Sequence, residues 1–488
     1  MIRNCLVLIL FFSSLSSWSL PIDWSGTLNY DTTLINNYRR TNDSITKTPG
    51  SRNGTQGIAS GDDSAHFQTY LFKLNPQLIV NDSITVKGEL STGHIRGGIA
   101  GDNSTQTQDP NSSSNTYFQT SPAQRSALNV NQLYAEIFAD TALIKIGRMS
   151  KGFGMGAVLN SGDKATDRFF TLYDGIQGEM KIGNFSLTPH WARLSTYNDN
   201  NAAGNRAEPN GSYDVRELGL SATYDNKTKD LLFSLMYAKR FSESKNSLYY
   251  SSEDASDFKR GRTAVTLIDL YLEKKWEKFK FAVEVPLMSG DFGNVYDNST
   301  NSQISSSSIL VQTLWNVSNK WDIGFDFGQV GGDKGATNRF EGMYLHPNFH
   351  VAELMFRYNY TAFNEGGKSI FDANLANTRY FKFHTGFKSD KWLWKSAIIS
   401  AKALETAKSG AQSYHHEEGY RFLANKNQND NLGVELDLGF DYAWNPNLTL
   451  SGFFAYWFVG DYYAFSNTNS DLGLQNVMGS GLRLSITF

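Results

Sequence analysis

Cysteine is almost absent from this chain: the single one, Cys5, lies near the N-terminus. A fold held together by disulfides is thereby excluded, and an oxidising compartment poses no difficulty. Cys5 precedes the apolar run at 6–12, which is the wrong side for a lipid-anchor cleavage site. Beyond that run no stretch reaches the roughly 20 apolar residues a membrane-crossing helix requires. With a negative mean hydropathy, a helical membrane protein is excluded. Charge of one sign is missing as well: the net charge is −3, so no basic field argues for a nucleic-acid partner. Proline is scarce, at 10 in 488 residues, and no Pro-rich or Gly/Ser linker divides the chain. Residues 20–488 therefore read as one domain.

The apolar run at 6–12 follows Arg3 and precedes Ser17-Trp18-Ser19, small residues of the kind a signal peptidase needs. This is the pattern of a secretory signal over 1–19, implying export through the Sec pathway.

What the chain does have is alternation. In 432–442, Leu432, Val434, Leu436, Leu438, Phe440 and Tyr442 share one parity; Gly433, Glu435, Asp437, Gly439 and Asp441 take the other. Successive strand side chains point to opposite faces, so one face is apolar and the other acidic or small. At helical spacing the same residues would spread charge around the whole circumference. Trp24, Leu28, Tyr30 and Leu34 oppose Asp23, Ser25, Asn29 and Asp31 in the same way. So do Trp321, Ile323, Phe325 and Phe327 against Asp322, Gly324, Asp326 and Gly328, and Leu218, Leu220, Ala222 and Tyr224 against Glu217, Gly219, Ser221 and Thr223. The C-terminus repeats it with Leu482, Leu484, Ile486 and Phe488.

A soluble sandwich also alternates, but a dry core would reject the ionised groups of the second face, whereas a watery lumen accepts them. Connection lengths alternate too. Short turns fall near 80–82, 139–140, 183–184, 226–229, 276–278, 318–320, 389–391 and 444–447, with turn formers such as Asn81-Asp82, Gly183-Asn184 and Asn445-Pro446. Long polar stretches lie near 37–65, 97–126, 148–173, 196–213, 242–262, 290–303, 331–377, 406–429 and 459–475. Together these predict an all-β, antiparallel up-and-down transmembrane barrel of 18 strands, within a range of 16–20. The short turns are periplasmic and the long loops extracellular. Residues 351–360 also alternate, with Ala352, Leu354, Phe356 and Tyr358 against Glu353, Arg357 and Asn359. Eighteen strands require this segment to fold within the loop 331–377; pairing it with 339–346 would give twenty. Trp276, Trp315, Trp321, Trp392, Trp394, Trp444 and Trp457, with Tyr249-Tyr250 and Tyr462-Tyr463, are expected at the membrane interfaces.

Leu133-Tyr134-Ala135-Glu136, then Ile144-Lys145-Ile146-Gly147-Arg148 and the glycine-rich Gly152-Phe153-Gly154-Met155-Gly156, resemble the fifth-strand region of Gram-negative porins. More particularly they are similar to monomeric substrate-specific porins and alginate-export channels. In those families a Gly-Arg pair closes a strand and the next loop folds into the pore. The resemblance thus implies an outer-membrane channel constricted by the loop 148–173, whose charges would be Arg148, Lys151, Asp163, Lys164, Asp167 and Arg168. Met149 follows the pair where those families often carry Gln, so no substrate carries over.

Polar-parity residues expected along the lumen wall are Lys145, Asp322, Asp326, Glu435, Asp437 and Arg483, together with Lys87, Glu89, Arg240, Glu284, Lys382 and His384. Opposed charges across a narrow aqueous gap set up a transverse field that sorts dipolar solutes. The function expected is passive diffusion of small hydrophilic solutes, sugars or acidic compounds among them. A structural or surface-interaction barrel and a barrel hydrolase are the other classes. No enzyme motif, cofactor or metal is expected: His415-His416-Glu417-Glu418 are adjacent in a loop and read as a solvated tract. Partners implied are outer-membrane lipid and lipopolysaccharide and the barrel-assembly machinery; a homo-oligomer stays open.

Overall fold

The computed structural model describes residues 22–41, 63–92, 96–99, 128–195, 215–242, 249–250, 258–259, 263–293, 302–336, 338–363, 369–468 and 470–488. The signal expected at 1–19 and parts of the long loops lie outside them. Strands β1 (Ile22–Asn36), β2 (Ser64–Asn81), β3 (Ile84–Thr92), β4 (Leu128–Ala139), β5 (Ala142–Ser150) and β6 (Leu172–Ile182) open the sheet. It continues through β7 (Phe185–Ser195), β8 (Val215–Asn226), β9 (Leu231–Ser242), β10 (Ala264–Lys275), β11 (Phe279–Gly293) and β12 (Ser302–Asn316). Strands β13 (Trp321–Val330), β14 (Thr378–Ser389), β15 (Trp392–Ala403), β16 (Asn431–Asn445), β17 (Leu448–Val459) and β18 (Val477–Thr487) complete it. The main sheet has 20 members: these eighteen, Gly97–Ile99 on β2, and Arg339–Phe340 lying parallel to β12. Each long strand pairs antiparallel with the next, and β18 returns to β1 from Thr27↔Thr487 to Asn36↔Met478. The result is a closed 18-stranded barrel.

Local chemistry explains the short turns. The Asn81 side chain accepts from the Ser83 N–H at 2.9 Å, Asn226 from Lys229 at 3.0 Å and Asn445 from Asn447 at 2.9 Å. The Asx turns at Asn81 and Asn445 and the cap at Asn226 replace ladder bonds the reversal cannot make. All eight short turns fall where the sequence places them.

The outer face is apolar. Leu28, Ile176, Leu218, Phe383, Leu438 and Leu482 all stand exposed, while Asn29, Glu217, Glu435 and Asp437, their neighbours of opposite parity, are buried inside the barrel. Trp276, Trp315, Trp321, Trp392, Trp394 and Trp444 are exposed beside the short turns, forming a girdle on that rim.

Three expectations fail at the other rim. At the start of β16, Ala401 faces Gly433 and Lys402 faces Asn431, leaving Leu432 as an extra residue. Gly433 has φ +112°, a conformation favoured by glycine, and the bulge turns Leu432 into the lumen rather than outward. Trp457 is 1% exposed and donates to the Leu432 carbonyl at 3.1 Å, so it belongs to the interior, not to an interface belt. Tyr462 and Tyr463 pack on the same inner cluster.

Candidate functional site: the lumen and its two infolded loops

The wall supplies a polar lining because every second residue points inward. Lys87 and Lys145 flank Glu136 at 2.8 and 3.3 Å. Lys151 reaches His190 Nδ1 at 3.1 Å, and His190 Nε2 lies 3.1 Å from Glu217. Glu217 also takes two bonds from Arg240, at 3.0 and 2.8 Å, and one from the Tyr173 hydroxyl.

The loop 151–171, between β5 and β6, folds against this lining. Arg96, 1% exposed, holds Glu89 through two 2.6 Å bonds and donates to the carbonyls of Gly162 at 2.7 Å and Asp167 at 3.2 Å. Lys73 donates to the Lys164 carbonyl at 2.7 Å, and Asn29 to that of Ala165 at 2.8 Å. Arg168 reaches back to Tyr70 O at 2.9 Å, Thr69 Oγ1 at 2.8 Å and Asp31 Oδ2 at 3.3 Å. Asp31 is shared with Arg483. On the far wall Glu284 accepts from the Met155 N–H.

Of the six charges assigned to this loop, the structure places Asp163, Lys164, Asp167 and Arg168 together on it. Asp167 is buried and caps the Lys164 N–H at 3.1 Å; burial raises its pKa above the usual carboxylate range, against the pull of Lys164, Lys73 and Arg96. Lys151 sits apart, sealed against His190, and desolvation lowers its amine to about 8. Arg148 does not belong to the constriction. It shares parity with the exposed Ile144 and Ile146 and pairs with Asp174 at 2.7 and 2.8 Å on the outer face. The loop is accordingly shorter than expected, since 148–150 and 172–173 are strand residues.

The described residues of a second loop, 331–377, also turn inward, and the sequence does not single it out as part of a constriction. Residues 351–360 form no strand. Their apolar members Val351, Ala352, Leu354, Met355, Tyr358 and Tyr360 pack with Leu345, Leu375, Tyr380 and Ile399 in one buried cluster. Glu435, fully buried on β16, accepts the N–H groups of Glu353, Leu354 and Met355 at 2.9, 2.7 and 2.7 Å. Lys382 on β14 donates to the Val351 carbonyl at 2.8 Å. The two loops hold each other: Asn348 donates to Phe169 O at 2.6 Å, and the His346 N–H to Ala157 O at 2.7 Å. Desolvation lowers His346 to about 4, and burial keeps His350 well below its ordinary value.

Between these loops and the wall of β1 and β13–β18 lies a cavity of about 780 Å³. Its lining carries charges of both signs: Arg168 and Arg483 on Asp31, Lys395 on Asp441, and Arg357, Lys382, Asp322, Glu353 and Asp437. Asp326 lies on the same wall, 3.5 Å from His384. A smaller cavity of about 120 Å³ adjoins Arg40, Tyr360, Glu417, Tyr462 and Tyr463. Tyr358 lines both cavities, so 356–358 forms a partition between them.

His416 departs from the solvated tract expected of it: it is buried, accepts from the Asp333 N–H at 2.8 Å and contacts Asn377 at 3.1 Å. Among the described residues no group of three His, Cys, Asp or Glu is placed to hold a metal.

No protein-family model and no curated protein matches the chain. Among solved structures it is similar to OccK9 (OpdG) of Pseudomonas aeruginosa, at 12% identity over 96% of this chain and 99% of that one, with a TM-score of 0.48. OccK11 (OpdR) of the same organism gives 11% identity, 96% of both chains and a TM-score of 0.47. OpdK of that organism, crystallised with vanillate, gives 11%, 96% and 98%, and 0.47. At these values the likeness is one of barrel fold and adds nothing to what strand pairing and face polarity already establish: a closed antiparallel barrel of eighteen strands, apolar outside and polar within.

Proposed function

We propose that this chain is a Gram-negative outer-membrane channel through which small hydrophilic solutes diffuse passively. The single observation that carries the reading is the water-accessible cavity of about 780 Å³, lined by arginines, lysines and carboxylates, inside a closed barrel whose outer face is oily. Hydrocarbon satisfies that outer face, and closure leaves no unpaired backbone edge in the membrane. Charges of both signs on the cavity wall favour solutes that carry separated or negative charge, acidic compounds and polar sugars included. The pore-constricting residues in this reading are Asp163, Lys164, Asp167 and Arg168 from the first loop and Arg357 and Tyr358 from the second.

A second reading is an occluded structural barrel, favoured by the apolar cluster that seats 351–360 inside the lumen. Reconstitution into planar bilayers separates the two. A channel gives stepwise conductance with a reversal potential set by the salt gradient. Silence from protein whose gel mobility is heat-modifiable, the mark of a folded barrel, would leave the structural reading. Lipid and ester turnover by the same preparation should be nil.

A further inference from the structure

Four long loops meet around the smaller cavity, and what they bring there is mostly aromatic. Arg40 follows β1, Glu417 stands between β15 and β16, and Tyr462 and Tyr463 lie between β17 and β18. Tyr358, Tyr360 and Asp372 come from the second infolded loop, and all of these line the cavity of about 120 Å³ together with Trp457 of β17. The rings meet edge to face or tilted: Tyr358 on Tyr360 at 6.5 Å, Tyr360 on Trp457 at 6.1 Å, Trp457 on Tyr463 at 5.3 Å and Tyr462 on Tyr463 at 5.2 Å. Such contacts turn the negative ring faces in several directions. One cation is already held by them. The Arg40 guanidinium lies 4.3 Å from the centre of the Tyr463 ring and 5.3 Å from that of Tyr360, and it donates to Glu417 at 2.6 and 3.0 Å.

Glu417 matches Arg40, whereas Asp372, exposed on the same lining, forms no ion pair among the described residues. Burial lowers His416 to about 3, so it adds no charge, and the lining sets one guanidinium against two carboxylates. The neutral donors that could serve an anion are already engaged: Tyr360 donates to Leu354 O at 3.0 Å, Asn374 to Leu345 O at 2.6 Å, Asn377 to Glu405 O at 2.8 Å and Thr378 to Ala376 O at 2.7 Å. The vacant volume therefore suits a cation. A bare ammonium ion would exchange strong hydration for ring faces and one carboxylate, whereas a methylated one has little hydration to lose. Benzene fills a cavity of roughly 150 Å³, so this one holds a group of about five heavy atoms. We propose that the cavity binds a small quaternary ammonium group, its methyls on Tyr358, Tyr360, Trp457 and Tyr462 and its charge balanced by Asp372. The partition 356–358 separates this site from the larger cavity, and the site stands whether or not the barrel conducts.

The test uses full-length protein in non-ionic detergent and follows the methyl singlet of tetramethylammonium by NMR line broadening. Ammonium, which keeps the charge, and tert-butanol, which keeps the shape, are added as competitors. Tetramethylammonium should bind saturably, and neither competitor at equal concentration should displace it. Asp372→Asn should weaken binding about fivefold, the scale of one ion contact at a water-exposed edge. Tyr462→Leu keeps the bulk and loses the ring face, and should weaken binding by a similar factor. Asp225→Asn, on the short-turn rim beside Lys227, should bind as the unaltered protein does. Broadening that does not saturate, displacement by either competitor, or unaltered binding by Asp372→Asn or Tyr462→Leu overturns the proposal. Heat-modifiable gel mobility establishes that each variant is folded, and should Tyr462→Leu fail to fold, Asp372→Asn decides alone. Single-channel recordings keep the two readings apart: a silent barrel that binds tetramethylammonium sinks the channel alone, and a conducting barrel that does not bind it sinks this site alone.

Discussion

Glu435 is the residue whose loss should change the pore most. Its carboxylate receives three backbone N–H groups of 353–355 at 2.7–2.9 Å, in a site closed to solvent. Hydrogen bonds to a charged acceptor are each worth roughly 1.5–3 kcal/mol, and a buried donor left unpaired costs about 1–3 kcal/mol. Glu435→Ala removes all three at once. Part of the loss is recovered because N–H groups freed into the lumen can meet water, so about 3–4 kcal/mol of anchoring should disappear. That shifts the balance between seated and released 351–360 by about 10² to 10³. Single-channel conductance should therefore rise, and amide exchange across 351–360 should accelerate while the strands stay protected. Glu435→Gln, which keeps one acceptor oxygen but brings an NH2 against the N–H cluster, should fall between. A properly closed Glu435→Ala barrel with unaltered conductance and unaltered exchange in 351–360 would refute the reasoning.

Arg96→Ala leaves the buried Glu89 carboxylate on the Asn131 and Gln132 amides without its guanidinium and removes the Arg96 bonds to two loop carbonyls; about 3 kcal/mol of destabilisation should expose 151–171 to trypsin at Lys151, Lys164 or Arg168, and an uncut loop counts against it. His346, at about 4, and His416, at about 3, both owe their low values first to desolvation. The folded loops resist a proton that the unfolded chain takes up near 6.5, so their stability is complete above that pH and declines as pH falls towards 4. At pH 5 the loss is about 2 kcal/mol per histidine, and exchange at 341–363 and 412–423, corrected for intrinsic rate, should speed up between pH 7 and 5. For Gly26→Val, a side chain would collide with the Phe488 ring and the Lys73 carbonyl; the heat-modifiable gel shift should weaken, and an unchanged shift would show that the seam tolerates bulk.

The barrel was legible because alternation reports two environments per strand, and Asn or Gly marks five of the eight reversals at one rim. The same signal misleads at 351–360. Ala352, Leu354 and Tyr358 alternate with polar neighbours because they pack against an inner wall, not because they sit in a ladder. Period two records sidedness, and pairing must come from elsewhere. Arg148 was readable: continuing the parity of Ile144 and Ile146 by one step puts it outside. The similarity of the Gly-Arg pair to porin sequences pointed the other way. Arg96 carried no signal, since its role depends on Glu89 and on loop carbonyls that only the closed barrel brings to it.

Strand β18 completes the cylinder. It pairs with β1 from Thr27↔Thr487 to Asn36↔Met478, and Gly26 and Phe488 exchange backbone hydrogen bonds at 2.8 and 3.1 Å, so β1, first in chain order, finds its second neighbour only when β18 is in place. Until then β1 has an open edge that invites pairing with other chains. Removing Phe488 alone would take away both bonds to Gly26 and leave the lower end of that edge unzipped.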